Sequence, residues 1–297
     1  MYQSPRRIIL EIIIFGISYS AMLALITIGF SLTFGISNIA NFAYGAVYIL
    51  GGLLTWGLVC QLGLPYLISI VISAFLSGLF GYALYWLVLF RLRGMTINEV
   101  IATFAVGIAI LQFLRWKGFH GYKYALPPLI SDSTTIAGVG IEIQRLVIIG
   151  VGVVLVLALY LFTRYTRIGL AFRAMSQDEY TAIVLGIDSD KTAALSLGFG
   201  SVLATIAAVA ILPLGIIDID RGFDALIFAL AVGIMGGLES IPGIIVASVL
   251  LGFSHQLVAT FLGSAWTMVV FVAAIISVLA VKPAGIFGKS KELEERV

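Results

Sequence analysis

The stretch IIIFGISYSAMLALITIGFSLTFG, residues 12–35, decides the class of fold. It carries no charged side chain, and it exceeds the ~20 residues a helix needs to cross a hydrocarbon layer about 30 Å thick. Further apolar runs lie at about 42–62, 65–90, 97–114, 143–163, 192–213, 225–238, 241–262 and 266–281. The run at 225–238 is short for a crossing and reads as a half-helix or re-entrant segment, which lipid tolerates only where protein or water surrounds it. The expectation is an all-α polytopic membrane protein with eight to nine transmembrane helices, residues 1–297 forming one transmembrane domain. Composition agrees, with 61% hydrophobic and only 11% charged residues in 297. An ordinary soluble domain carries roughly a quarter charged residues, and a soluble chain this apolar could not cover its own surface.

Several function classes fall away on the same page. The net charge of +2 is small and dispersed, which argues against nucleic-acid binding. Arg6 and Arg7 precede a run too long for a signal-peptide core, so a retained span is expected. Cys60 is the only cysteine, so neither an intrachain disulfide nor a thiolate metal site can form. His120 and His255 have no second ligand at helical spacing, and no metal site is expected. Gly285-Ile286-Phe287-Gly288-Lys289-Ser290 ends like a phosphate-binding loop, but that motif needs four residues between its glycines. Pro283 stands where the first glycine belongs, so this reads as a helix exit and the chain should hold no ATP and no other cofactor. No catalytic constellation lies within the runs. Glu11, Glu99, Asp224 and Glu239 all sit near run ends, where interfacial solvation is their simplest reading. The nearly uncharged interior suits a neutral or zwitterionic solute and offers no ion relay.

Polar segments at 115–142 and 164–191 interrupt the pattern. Arginines near span ends mark the cytoplasmic face, which places Arg91, Arg93 and the Arg164–Arg173 group inside and the 115–142 loop outside. Three runs separate Met1 from Arg91, so the N-terminus falls outside, against the preference of Arg6 and Arg7. A re-entrant 36–62 region is the other resolution. An internal echo bears on this: Phe34-Gly35-Ile36-Ser37-Asn38-Ile39 is similar to Leu214-Gly215-Ile216-Ile217-Asp218-Ile219, and Gly51-Gly52 and Gly236-Gly237 follow. The copies would fall on opposite faces, as an inverted repeat requires. Chance similarity in a small apolar alphabet is the alternative.

Asn38, Asn41, Tyr44 and Gly45 place two amides and a phenol between apolar runs, where they must find partners. They either line a translocation path or join helices. Gly236 and Gly237 allow close backbone approach, for packing or for substrate. Residues 169–185 read as one amphipathic helix, with Leu170, Ala174, Ile183 and Leu185 apolar and Arg173, Gln177 and Asp178 polar, ended by Gly186 as a cap. Such a helix, with Gly169 at its start and Glu179 beside Asp178, is suited to docking a cytoplasmic partner; a solvated loop helix is the plainer alternative.

Leu25–Ile36, Asn41-Phe42-Ala43-Tyr44-Gly45, Arg164–Gly169 with Arg173-Ala174, Leu185–Asp188, Gly236–Gly243 and Lys282–Gly288 together resemble a known family. The chain is similar to permease subunits of bacterial branched-chain amino acid ABC importers of the high-affinity leucine/isoleucine/valine type. Tyr44 replaces the family's usual histidine, and Leu238 and Glu239 stand in the usual Gly-Gly-Ile-Gly-Ser-Ile-Pro-Gly turn. The resemblance implies a multi-pass subunit of the bacterial or archaeal inner membrane with no catalysis of its own. It also implies a second homologous permease, two ATPase subunits and an extracellular substrate-binding protein as partners. The 169–186 segment would be the coupling helix that engages an ATPase. Related permeases move urea or short amides, and a self-sufficient carrier is the rival from another class.

Overall fold

The computed structural model describes residues 5–119, 124–130, 132–136, 139–282 and 285–288. Its helices are α1 (Pro5–Ser37), α2 (Tyr44–Trp56, continued by a π-helical turn to Gln61), α3 (Tyr66–Leu87), α4 (Thr96–Trp116) and α5 (Ile143–Tyr165). After these come α6 (Arg167–Gln177), α7 (Glu179–Val184), α8 (Ser189–Ile211), α9 (Arg221–Gly236), α10 (Ile241–Phe261) and α11 (Thr267–Val281). Among the described residues, eight helical segments are long and apolar enough to span a bilayer: 7–37, 44–61, 66–91, 96–116, 143–165, 189–214, 241–261 and 264–281. α9 has 16 residues and is therefore about 24 Å long, the short element expected from the 225–238 run.

The architecture is a repeat. α1 packs along α10 as α8 packs along α3; α2 lies on α8 as α9 lies on α1; α2 and α9 meet each other. The contacts match in detail. A Cβ on Gly81 of α3 would stand 2.2 Å from the Ser201 hydroxyl of α8, and one on Gly252 of α10 would stand 2.3 Å from the Ser20 hydroxyl of α1. Glycine against serine lets backbones approach, which matters in lipid because there is no hydrophobic drive between helices. With α1 to α5 all crossing, α8 starts on the face opposite to the start of α1. The sequence echo lies near the end of each leading helix, Phe34–Ser37 in the last turn of α1 and Leu214–Ile219 beyond the end of α8, but its glycine pairs do not correspond: Gly51-Gly52 sit inside α2 and Gly236-Gly237 end α9.

α8 is the central staff of the molecule, with 72% of its spanning window buried against 6% for the α11 span. Its Ala194, Ala204, Ala207 and Ala208 are wholly inaccessible. Inside the 115–142 segment, read from sequence only as a loop, Ser133–Ile136 and Val139–Glu142 form an antiparallel hairpin, Ser133 opposite Glu142 and Ile136 opposite Val139. Alternating β-branched residues around Ala137-Gly138 were the signal for it.

Candidate translocation and coupling sites

α1 ends because Asn38 turns left-handed, at φ 54°, a region asparagine tolerates better than most residues. The chain then climbs back in extended form. Asn41, buried, accepts the Ala43 N–H on its side-chain oxygen (3.1 Å) and the Tyr44 N–H on its carbonyl (3.1 Å), which starts α2. Thr103 of α4 accepts the Phe42 N–H at 3.2 Å. Tyr44 is buried and its hydroxyl donates to the Ile26 carbonyl at 2.7 Å, so the phenol braces α2 against α1. Gly45 is backed directly onto Gly222 of α9: a Cβ on Gly45 would lie 1.9 Å from the Gly222 carbonyl oxygen.

The depth of this contact follows from its neighbours. A Cβ on Gly107, at the middle of α4, would lie 3.2 Å from the Ala43 backbone. The first turns of α2 and α9 thus meet about half-way through the bundle, and each helix runs from there to an opposite face. Their N-terminal N–H groups bring partial positive charge to that level. Asp218, Asp220, Arg221, Phe223 and Asp224 are exposed beside it, and Asp220 is paired with Arg115 of α4 at 2.6 Å.

Two sequence readings change here. Asp224 does sit at a helix end, but that end lies inside the bundle, because the extended 215–220 segment covers the first part of the crossing. Glu99 is not solvated at an interface: it is buried and accepts the Gly94 N–H at 3.1 Å. Of the sequence candidates, Asn38 is exposed at the end of α1, while Asn41, Tyr44 and Gly45 are buried and join helices. Gly236 and Gly237 lie at the far end of α9, also buried. Gly236 backs onto Gly243 of α10, where a Cβ would meet its carbonyl oxygen at 2.5 Å.

The chain after α11 has a role that sequence missed. Ile286 N–H donates to the Met235 carbonyl (2.9 Å) and Phe287 N–H to the Gly236 carbonyl (3.2 Å), so residues 285–288 cap the orphan carbonyls of α9. Lys289, Ser290 and His120 lie outside the described residues. His255 stacks on Tyr19 at 3.7 Å between ring centroids. The described residues hold no group of three or more potential metal ligands.

The 164–191 segment lies at the face where α1 ends and α9 meets α10. It is not the single helix expected from sequence. Asp178 leaves helical geometry (φ −159°, ψ 107°) and its carboxylate caps α7 by accepting the Tyr180 N–H at 3.0 Å. Thr166 caps α6 in the same way, accepting from Gly169 at 2.9 Å. At the far end Gly186 adopts φ 87°, Ile187 N–H reaches the Ala182 carbonyl (3.0 Å) and Gly186 N–H the Ile183 carbonyl (2.9 Å), the paired bonds of a Schellman cap.

The split also changes which residues face inward. Gly169, Phe172, Met175 and Ala182 are buried, whereas Leu170, Ile183 and Leu185, expected on the apolar face, are exposed, together with Tyr180 and Val184. Arg173, Gln177 and Asp178 are exposed as well. Glu179 is drawn into a latch: Arg93 pairs with it at 2.6 Å and also with Asp190, while Tyr85 donates to Asp190 at 2.6 Å and Ser189 to Glu179 at 2.6 Å. Partial burial opposes the charge on Arg93, but Tyr85, Asp190 and Glu179 outweigh it and raise the guanidinium pKa above its ordinary value.

An inverted repeat of broken helices around a mid-depth crossing, with an amphipathic pair of short helices on one face, defines a transport permease of the bundle type. A family described as the permease component of the branched-chain amino acid transport system matches residues 12–279, and the chain belongs to that family. It is 30% identical over 296 residues to the high-affinity branched-chain amino acid transport system permease protein BraD of Pseudomonas aeruginosa, covering 94% of this chain and 96% of the relative. Permease protein LivH of Escherichia coli is 29% identical over 288 residues (92% and 94%), and a probable LivH of Methanocaldococcus jannaschii 27% over 292 residues (92% and 90%). Among solved structures, PsaBC from Streptococcus pneumoniae in complex with Fab shares the fold at a TM-score of 0.50 and 13% identity, over 92% of each chain.

Proposed function

We propose that this chain is one of two facing permeases in an ATP-driven importer of branched-chain or other neutral amino acids, powered by separate ATPases. One observation carries the reading. Arg221 and Asp224 are exposed in the first turn of α9, which meets α2 near mid-depth, where charged groups face a bundle interior or water rather than lipid. A second, homologous subunit facing Phe42, Phe104 and Phe223 would enclose that surface and form the path, into which an extracellular binding protein would deliver solute. The names of the relatives supply the solute class.

Arg91, Arg93, Arg164, Arg167 and Arg173 fall on one face, which the excess of positive charge makes the cytoplasmic one, in a bacterial or archaeal inner membrane. The N-terminus is then outside, and Arg7 is offset there by Glu11 at 3.3 Å. Exposed Tyr180 and Val184 on α7, with Leu185 just after it, supply an apolar contact for an ATPase. The test is substrate-stimulated ATPase activity of the reconstituted complex. Gly186→Pro cannot reach φ 87°, and Asp178→Lys removes the α7 cap; both should abolish stimulation while the complex still reaches the membrane. Undiminished leucine uptake in both variants would sink the coupling assignment.

A further inference from the structure

A cavity of about 520 Å³ opens on the inner face within this one subunit, walled by α1, α5, α6 and the start of α10. It is separate from the α2–α9 crossing, since neither α2 nor the first turns of α9 line it. Its size is that of a small-molecule site. Leu32, Ile36, Leu159 and Ile244 give it aliphatic walls, while Arg164, Arg173 and Glu239 also line it. The Arg164 guanidinium is engaged by Tyr160, bonding its hydroxyl and lying 5.8 Å from its ring centroid. Arg173 and Glu239 are in no ion pair among the described residues, and both are exposed.

Arg173 and Glu239, with an Arg164 charge engaged only by a neutral phenol, put both signs on one aliphatic pocket and so select a particular chemistry. A simple anion, including a lipid phosphate, would gain from Arg173 and Arg164 but be repelled by Glu239 and leave that carboxylate unpaired. A simple cation would meet the reverse. A molecule that carries both charged groups on one carbon and a branched hydrocarbon beyond them satisfies all three features.

We propose that this cavity binds the zwitterion of an aliphatic amino acid from the inner side. Arg173 receives the carboxylate, Glu239 the ammonium group, and Leu32, Ile36, Leu159 and Ile244 the side chain. That the amino acid is the transported one rests on the permease reading above; the charge pattern of the site does not. The bound molecule would touch α6 and the α9–α10 turn together, joining the proposed coupling segment to the bundle.

The test is equilibrium binding of radiolabelled L-leucine to the complete importer in nanodiscs, without its binding protein. Two analogues accompany it: 4-methylpentanoate, which lacks the ammonium group, and 3-methylbutylamine, which lacks the carboxylate. Leucine should bind at least tenfold more tightly than either. Glu239→Gln should remove its advantage over 4-methylpentanoate, and Arg173→Gln its advantage over the amine. Leucine binding that survives both variants unchanged overturns the site. So does a wild-type complex that binds no leucine but retains phosphatidylglycerol, lost in Arg173→Gln. If a variant fails to assemble, the analogue series on the unaltered protein still decides, since equal affinities for all three refute the proposal. Leucine uptake by cells lacking the chain is measured in parallel. Full uptake with the binding pattern intact removes the permease reading and leaves the site; lost uptake without the binding pattern does the opposite.

Discussion

The α2–α9 crossing and the α6–α7 segment are built by opposite means. At the crossing two backbones touch through Gly45 and Gly222, with no side chain between them and no room for one on Gly45. At the inner face two short helices are held by caps and by the Arg93 latch, and they leave Tyr180, Val184 and Leu185 bare. The first region carries its stability in shape and has almost nothing to give. The second carries little stability and presents much surface. On the proposed reading the first region would serve as a fulcrum at mid-depth and the second as a handle for an ATPase below it.

Substitutions should separate the two. The largest effect is expected from Gly45→Val, whose Cβ would fall 1.9 Å from the Gly222 carbonyl oxygen. Overpacking costs ~1–3 kcal/mol and sometimes more, and backbone cannot swing aside as a side chain can, so the upper end or beyond is expected. Thermal unfolding followed by fluorescence-detected gel filtration measures it. Gly222→Ala sharpens the point, because its Cβ would stand 3.0 Å from the Gly45 oxygen and the cost should be nearer the low end, about 1 kcal/mol. Equal losses from the two would mean that the helices separate freely.

Arg93→Ala comes next. It leaves Glu179 and Asp190 without their shared cation. Hydrogen bonds to charged groups are worth ~1.5–3 kcal/mol, but the groups are a third or more exposed and solvent screens them, so roughly 1 kcal/mol should be lost. Protease accessibility of the 178–188 segment should rise while the bundle stays intact. Tyr44→Phe should cost a similar ~1 kcal/mol by removing the bond to the Ile26 carbonyl. Substrate preference in uptake competition should not change, because the phenol is buried against α1; a changed preference would put Tyr44 on the path.

What sequence could and could not say divides along the same line. The spans were legible because a bilayer demands long uncharged runs, and the break at 38–43 because two asparagines cannot be idle there. The echo at 34–39 and 214–219 falls near the return into the bundle in each half, but its glycine pairs, inside α2 and at the end of α9, do not match. The closeness of Gly45 to Gly222 was not, since it depends on residues far apart in the chain. The split at Asp178 was hidden for a local reason. Alanine, methionine, glutamine and glutamate around it all favour helix, and an aspartate reads equally as a helix surface residue or a cap. The Asp178–Thr181 spacing, at which the two side chains bond, was the available clue. The capping of α9 by residues 285–288 was concealed by their likeness to a helix stop.

The smallest structural effect should accompany the sharpest functional one. Leu185 is 75% exposed, so Leu185→Ser removes almost no buried area, and a surface change of this kind shifts stability by about 0.5 kcal/mol or less. Melting temperature, assembly of the two permeases and the latch around Arg93 should all be unchanged. Yet the exposed methyl groups are what an ATPase groove would bury. Near 25 cal/mol per Å² of apolar area, losing that burial weakens docking by roughly 1–2 kcal/mol, about tenfold in affinity. Co-purification of the ATPases with a Leu185→Ser chain, titrated against the unaltered chain, reads this directly. Full retention with normal stimulated ATPase activity would move the handle elsewhere on the inner face. Loss of the ATPases with an unshifted melting curve would establish that fulcrum and handle are energetically independent.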